Sequence, residues 1–142
     1  MEREEFTSFY AASLRVTPDG KTVYIGTSND TVIPVNTATN TAGKPIRLGG
    51  SFPWEMSIGP DGKTVYIANL PNTVVPISTA TNTAGNPIRL GLALKIAIAP
   101  DGKTLYVAAH NKIVPISTAS SLPGKPIRLP IRVGFPASVI IP

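Results

Sequence analysis

One histidine, eight carboxylates and no cysteine are the whole inventory from which this 142-residue chain could build acid–base, metal or thiolate chemistry. Glu2, Glu4 and Glu5 crowd the N-terminus, and Asp19, Asp61 and Asp101 each sit in the same Pro-Asp-Gly-Lys-Thr string. That leaves Asp30, Glu55 and His110. General acid–base work or metal coordination needs two or three such groups converging on one point. These three are scattered along the chain, so solvated loop positions are the preferred reading. No catalytic residues, no metal ligands and no cofactor are expected. The absence of cysteine also excludes a disulfide framework and a Cys-based zinc site.

Gly-Lys-Thr occurs three times, at Gly20, Gly62 and Gly102, in the manner of the end of a phosphate-binding loop. Such a loop needs a glycine five positions earlier and a helix to follow. The chain has Arg15, Ser57 and Ala97 there, and a β-branched run follows each time. These strings are hairpin turns. Proline presets φ, aspartate bonds the backbone beyond it, and glycine takes the left-handed position, which makes Asp19, Gly20, Asp61, Gly62, Asp101 and Gly102 structural.

The turns belong to a longer repeat of about 40 residues, a period typical of stacked or radial architectures. Thr31 to Leu48 returns at Thr73 to Leu90 almost letter for letter, and Lys112 to Leu129 is a looser third copy. The units read as residues 12–49, 50–91 and 92–130, with the start of a fourth at 131–142. The chain stops at Pro142, where the next Asp-Gly-Lys-Thr would begin, so the ending reads as a truncated repeat.

Helical periodicity is absent, and proline or glycine interrupts nearly every window of ten. Short β-branched runs dominate. In the second copy strand A is expected at Glu55 to Gly59, B at Thr64 to Ala68, C at Thr73 to Ser78 and D at Asn86 to Leu90. Strand B is apolar on both faces, so it must be covered on both sides. Pro34, Pro76 and Pro115 fall inside strand C and remove a ladder N–H; a bulge or early fraying is expected beside them. Pro45, Pro87 and Pro126 suit D as an outer edge.

Strings of the form I-x-P-D-G-K-T-x-Y, then T-V-x-P-I-x-T-A-T-N-T-A-G-K-P-I-x-L, resemble the YVTN-family β-propeller repeats of actinobacterial and archaeal surface proteins, from about Leu14 to Pro142. The resemblance implies an all-β fold of four-stranded antiparallel blades around an axis, strand A innermost. It implies no single activity and, if the chain is a fragment of a longer protein, an extracellular or cell-surface setting; the sequence itself leaves the compartment open. Closed rings hold four to eight blades, so three blades imply a partial ring, completed by self-association or by further blades. A β-trefoil also has three four-stranded copies of this size, but a fourth A strand has no place in one.

The copies agree at the A–B and C–D turns and differ at the B–C and D–A connections. Recognition is expected where they differ, which singles out Phe52, Trp54, Glu55, Asn69 and His110, with Trp54 alternatively part of an inter-blade core. Arg47, Arg89 and Arg128 recur in strand D. They read first as edge gatekeepers and second as a basic stripe for phosphates. The net charge of +5 permits nucleic acid without requiring it. A protein or carbohydrate ligand is equally permitted, and nucleic acid is not favoured. The charged start is not a secretory signal, and Leu90 to Pro100, the longest apolar stretch, is broken by Lys95 and too short to span a bilayer. The sequence thus points to a non-catalytic binding or structural module, with a basic nucleic-acid-binding propeller and a lactonase-like hydrolase as alternatives.

Overall fold

In a computed structural model that describes residues 10–91 and 93–130, three blades of antiparallel strands follow one another along the chain. The first holds β1 (Ala11–Val16), β2 (Thr22–Thr27), β3 (Thr31–Asn36), β4 (Thr41–Ala42) and β5 (Ile46–Arg47). The second holds β6 (Phe52–Ile58), β7 (Thr64–Leu70), β8 (Thr73–Ser78), β9 (Thr83–Ala84) and β10 (Ile88–Arg89). The third holds β11 (Ala93–Ile98), β12 (Thr104–Ala109), β13 (Lys112–Ser117) and β14 (Ile127–Arg128). There is no helix among the described residues. The expected fourth repeat at 131–142 lies outside them.

Each blade runs A, B, C, D from the centre outwards, and β1, β6 and β11 pack side by side. Strand D is not the single strand expected at Asn86 to Leu90. It is broken into two short pieces in the first two blades, and in the third its first piece shrinks to a bridge between Ile116 and Pro123. The proline of strand C is the reason. Its missing N–H faces D rather than B, so the B–C ladder runs through Pro34 opposite Tyr24 without a break. Opposite Ile33 and Pro34, strand D inserts three residues, Gly43, Lys44 and Pro45, making a one-residue bulge. The bulge still serves the proline carbonyl: Gly43, Gly85 and Gly124 donate to Pro34, Pro76 and Pro115 at 2.7, 2.7 and 2.6 Å.

Two cores fill the gaps between blades. Tyr24, Val32, Ile46 and Leu48 of the first blade pack against Met56, Val65, Ile67, Val75 and Ile77 of the second. Tyr66, Val74 and Ile88 of the second pack against Ile96, Leu105, Val107, Val114 and Ile116 of the third. The middle blade is therefore covered on both faces, and Val65 to Asn69 of β7 are buried without interruption.

The turns that agree between copies all lie at one end and bond to one another. Thr37, Thr79 and Thr118 of the C–D turns donate through Oγ1 to the carbonyls of Gly20, Gly62 and Gly102 at 2.7, 2.7 and 2.6 Å. Asp19, Asp61 and Asp101 each accept the N–H two residues on at 2.9 Å. Gly20, Gly62 and Gly102 have φ of 73°, 72° and 74°, the left-handed region the turn reading requires.

Candidate functional site: the groove at the inner strands

Strand A starts earlier than the sequence suggests, at Phe52 rather than Glu55, because it carries a bulge that breaks the alternation. Pro53 pairs with Asn69 and Glu55 with Ala68, which leaves Trp54 unopposed. The same bulge recurs at Ala12 in β1 and at Leu94 in β11. A bulge re-aims the side chains beside it. Here it brings residues of all three inner strands around one groove of about 450 Å³, lined by Tyr10, Arg15, Phe52, Trp54, Glu55 and Lys95 among others.

The groove has an aromatic side and a charged side. Phe52 stands edge-on to Tyr10 at 6.3 Å between ring centroids and tilted to Trp54 at 5.7 Å. Trp54 is half-buried here and belongs to neither inter-blade core. Glu55 accepts from the Ile96 N–H at 3.0 Å and from Lys95 Nζ at 3.3 Å, joining the second blade to the third. Ser13, at the corresponding place in β1, reaches the Pro53 carbonyl at 3.4 Å. Arg15 is exposed.

Two of the five ligand candidates lie elsewhere. Asn69 is fully buried and is not a ligand anchor. Its Nδ2 donates to Asp30 Oδ1 at 3.3 Å, and Asp30 also accepts the N–H groups of Gly49 at 3.1 Å and Gly50 at 3.2 Å. A carboxylate at the B–C turn thereby ties down the link into the next blade, while Asn69 Oδ1 has no partner among the described residues. The hydrogen-bonding side chain expected to meet a ligand is spent on this clamp. His110 is an exposed B–C turn residue with φ of 57°, next to Gly91. Asp30, Glu55 and His110 thus occupy three separate settings, and among the described residues no three His, Cys, Asp or Glu side chains cluster.

Arg47, Arg89 and Arg128 are exposed on β5, β10 and β14. Arg128 lies directly opposite Lys112, and Arg47 and Arg89 lie opposite Thr31 and Thr73. At the far end, Asp19 accepts from Thr17 Oγ1 at 2.7 Å and from the Lys21 N–H, which holds its carboxyl below the usual range. Burial, and then the Asp19 charge, push the Tyr24 phenol up.

Sequence reasoning missed Tyr10, Arg15 and Lys95. Tyr10 stands nine residues before its turn aspartate, as Phe52 does, and Lys95 stands six before, as Glu55 does. Aligning the copies on those aspartates brings the first and third to light.

The solved structures similar to this chain carry the same architecture. A hydrazine synthase of Kuenenia stuttgartiensis matches 84% of the chain at 25% identity with a TM-score of 0.79. The structure of U3-55K matches 87% at 14% identity with a TM-score of 0.77, and the RRP9 WD40 repeats match 87% at 14% identity with a TM-score of 0.78. The chain is a β-propeller repeat module of WD40-like fold. It spans 36% to 41% of the length of those three structures. No protein-family model matches it, and no curated protein matches it.

Proposed function

We propose that this chain is a non-catalytic binding module built from YVTN-type propeller repeats, serving at a cell surface, and that its ligand is a segment of another protein held in the groove at the inner strands. The Tyr10, Phe52 and Trp54 row carries the reading. Aromatic anchors beside fixed charges are what protein interfaces use for affinity, and losing one central tryptophan costs about 2 kcal/mol or more. The groove sits where the copies differ, as individual recognition requires. The WD40 propeller neighbours support an interaction role.

The reading is tested with a peptide display library and an oligosaccharide panel, both screened against the immobilised chain. Peptide retention is expected, weakened at least tenfold by Trp54→Ala and left unchanged by Thr81→Ala at the opposite end. Retention of oligosaccharides alone would move the ligand class. Lactone hydrolysis abolished by His110→Ala or Glu55→Gln would overturn the non-catalytic reading, and salt-sensitive DNA retention lost with Arg47, Arg89 and Arg128 would favour nucleic acid.

A further inference from the structure

The two outer faces of the arc are the two halves of an interface that the chain already makes twice within itself. On the trailing side of each blade stand a tyrosine of strand B, a β-branched residue of C and an isoleucine of D. In the first two blades the next blade buries them: Tyr24 is 1% exposed, Tyr66 5%, Ile46 and Ile88 7% each. Their counterparts on the third blade, Tyr106 and Ile127, are 41% and 51% exposed. On the leading side, Met56 of the second blade is 0% exposed and Ile96 of the third 8%, whereas their counterpart Leu14 is 52% exposed and Val16 beside it 51%.

A directional polar contact at the first junction and a shape contact at both accompany the cores. Tyr24 donates its hydroxyl to Asn82 Oδ1 of the following blade at 2.6 Å. Asn40, the counterpart of Asn82, holds the same φ of 53°, and among the described residues no blade precedes it and none follows Tyr106. Pro18 packs over Gly62 and Pro60 over Gly102, each within 3.3 Å of where a Cβ would stand, while nothing lies within 4 Å of that place at Gly20.

We infer that a second copy of this chain covers both faces, head to tail, with Tyr106, Ile113, Ile127 and Pro100 of one copy meeting Asn40, Leu14, Val16 and Gly20 of the other. Unlike faces meet, so the contact is heterologous, and two such contacts between two copies close a ring. The three described blades from each copy make six, within the range of closed propellers. Contiguous exposed apolar side chains on an isolated chain favour association. The inference is independent of the ligand groove.

The test is the mass of the intact chain in solution at micromolar concentration, by light scattering and sedimentation. Leu14→Glu spoils the leading face and Ile127→Glu the trailing face; both positions are exposed within the single chain, and circular dichroism and melting verify that each variant folds. Wild type is expected at the mass of two copies and each variant at the mass of one. An equimolar mixture of the two variants at high concentration is expected to form a one-to-one pair, because each brings the face that the other lacks. A monomeric wild type, a variant that keeps the mass of two copies, or a mixture that stays monomeric would overturn the inference. As a milder probe, Tyr106→Phe and Asn40→Ala are each expected to loosen the pair several-fold, and together no more than either alone; no loosening by either would overturn the pairing.

Discussion

Asp19 differs from the other turn aspartates in having a threonine hydroxyl beside it, since Thr17 is replaced by Gly59 and Ala99 in the later copies. Its carboxyl is held below the usual range, first by Thr17 and then by the Lys21 N–H. A folded-state pKa below the unfolded one means stability that is present above the unfolded pKa, near 3.8, and lost as pH falls through the folded value. Thr17→Val is therefore expected to raise the Asp19 pKa, read from the carboxyl carbon resonance against pH; an unchanged midpoint would mean that the hydroxyl bond is not made. Tyr24 offers a second probe. Tyr24→Phe keeps the buried ring and removes only the bond to Asn82, so a loss of about 1 kcal/mol in urea unfolding is expected, against several for Tyr24→Ala.

Each turn and strand carries the mark of its neighbours. Gly62 has φ of 72° and faces the Pro18 ring, so Gly62→Val is expected to cost on the order of 1 to 2 kcal/mol or more. Lys63→Ala, in the same turn but exposed, should stay within about 0.5 kcal/mol; equal shifts in melting would contradict the turn geometry. Between the second and third blades the tyrosine–asparagine bond has no counterpart, because Ser121 stands where Asn82 does and a cavity of about 140 Å³ lies beside Tyr66. Ser121 already holds φ of 59°, a conformation asparagine tolerates well. Ser121→Asn is expected to stabilise by about 0.5 to 1 kcal/mol, and a destabilised variant would show that Tyr66 cannot reach it. Strand C was legible to the residue, because its alternation survives the proline. Strands A and D were not, since a bulge moves the alternation by one place and leaves no mark in composition. The site was legible in part for the same reason: Phe52, Trp54 and Glu55 stood out by type, whereas the burial of Asn69 depends on Asp30, a residue 39 positions away.

The three blades are not equally protected. Both faces of the middle blade are covered, whereas the first and third each present one face to solvent. Amide exchange is expected to be slowest in β7 and faster in β2 and β12, since opening an outer blade breaks one core and opening the middle one breaks two. Uniform protection at low concentration would show that the stack opens as a single unit. Raising the concentration should slow β2 and β12 towards β7 if the outer faces become covered.

The order of faces has a genetic consequence. The trailing sides of the blades are alike, as are the leading sides, and the contacts across the junction come from the units themselves: the proline, the glycine and the tyrosine from all three, and the asparagine from the first two. An in-frame duplication of residues 50–91 would place a ready-made trailing side against a ready-made leading side. The lengthened chain would gain a buried core without a single compensating substitution, and a deletion of the same length would rejoin matching surfaces. A gene of this kind can change its number of units by unequal recombination while each step still folds, and the near-identity of Thr31 to Leu48 with Thr73 to Leu90 is the trace such an event leaves.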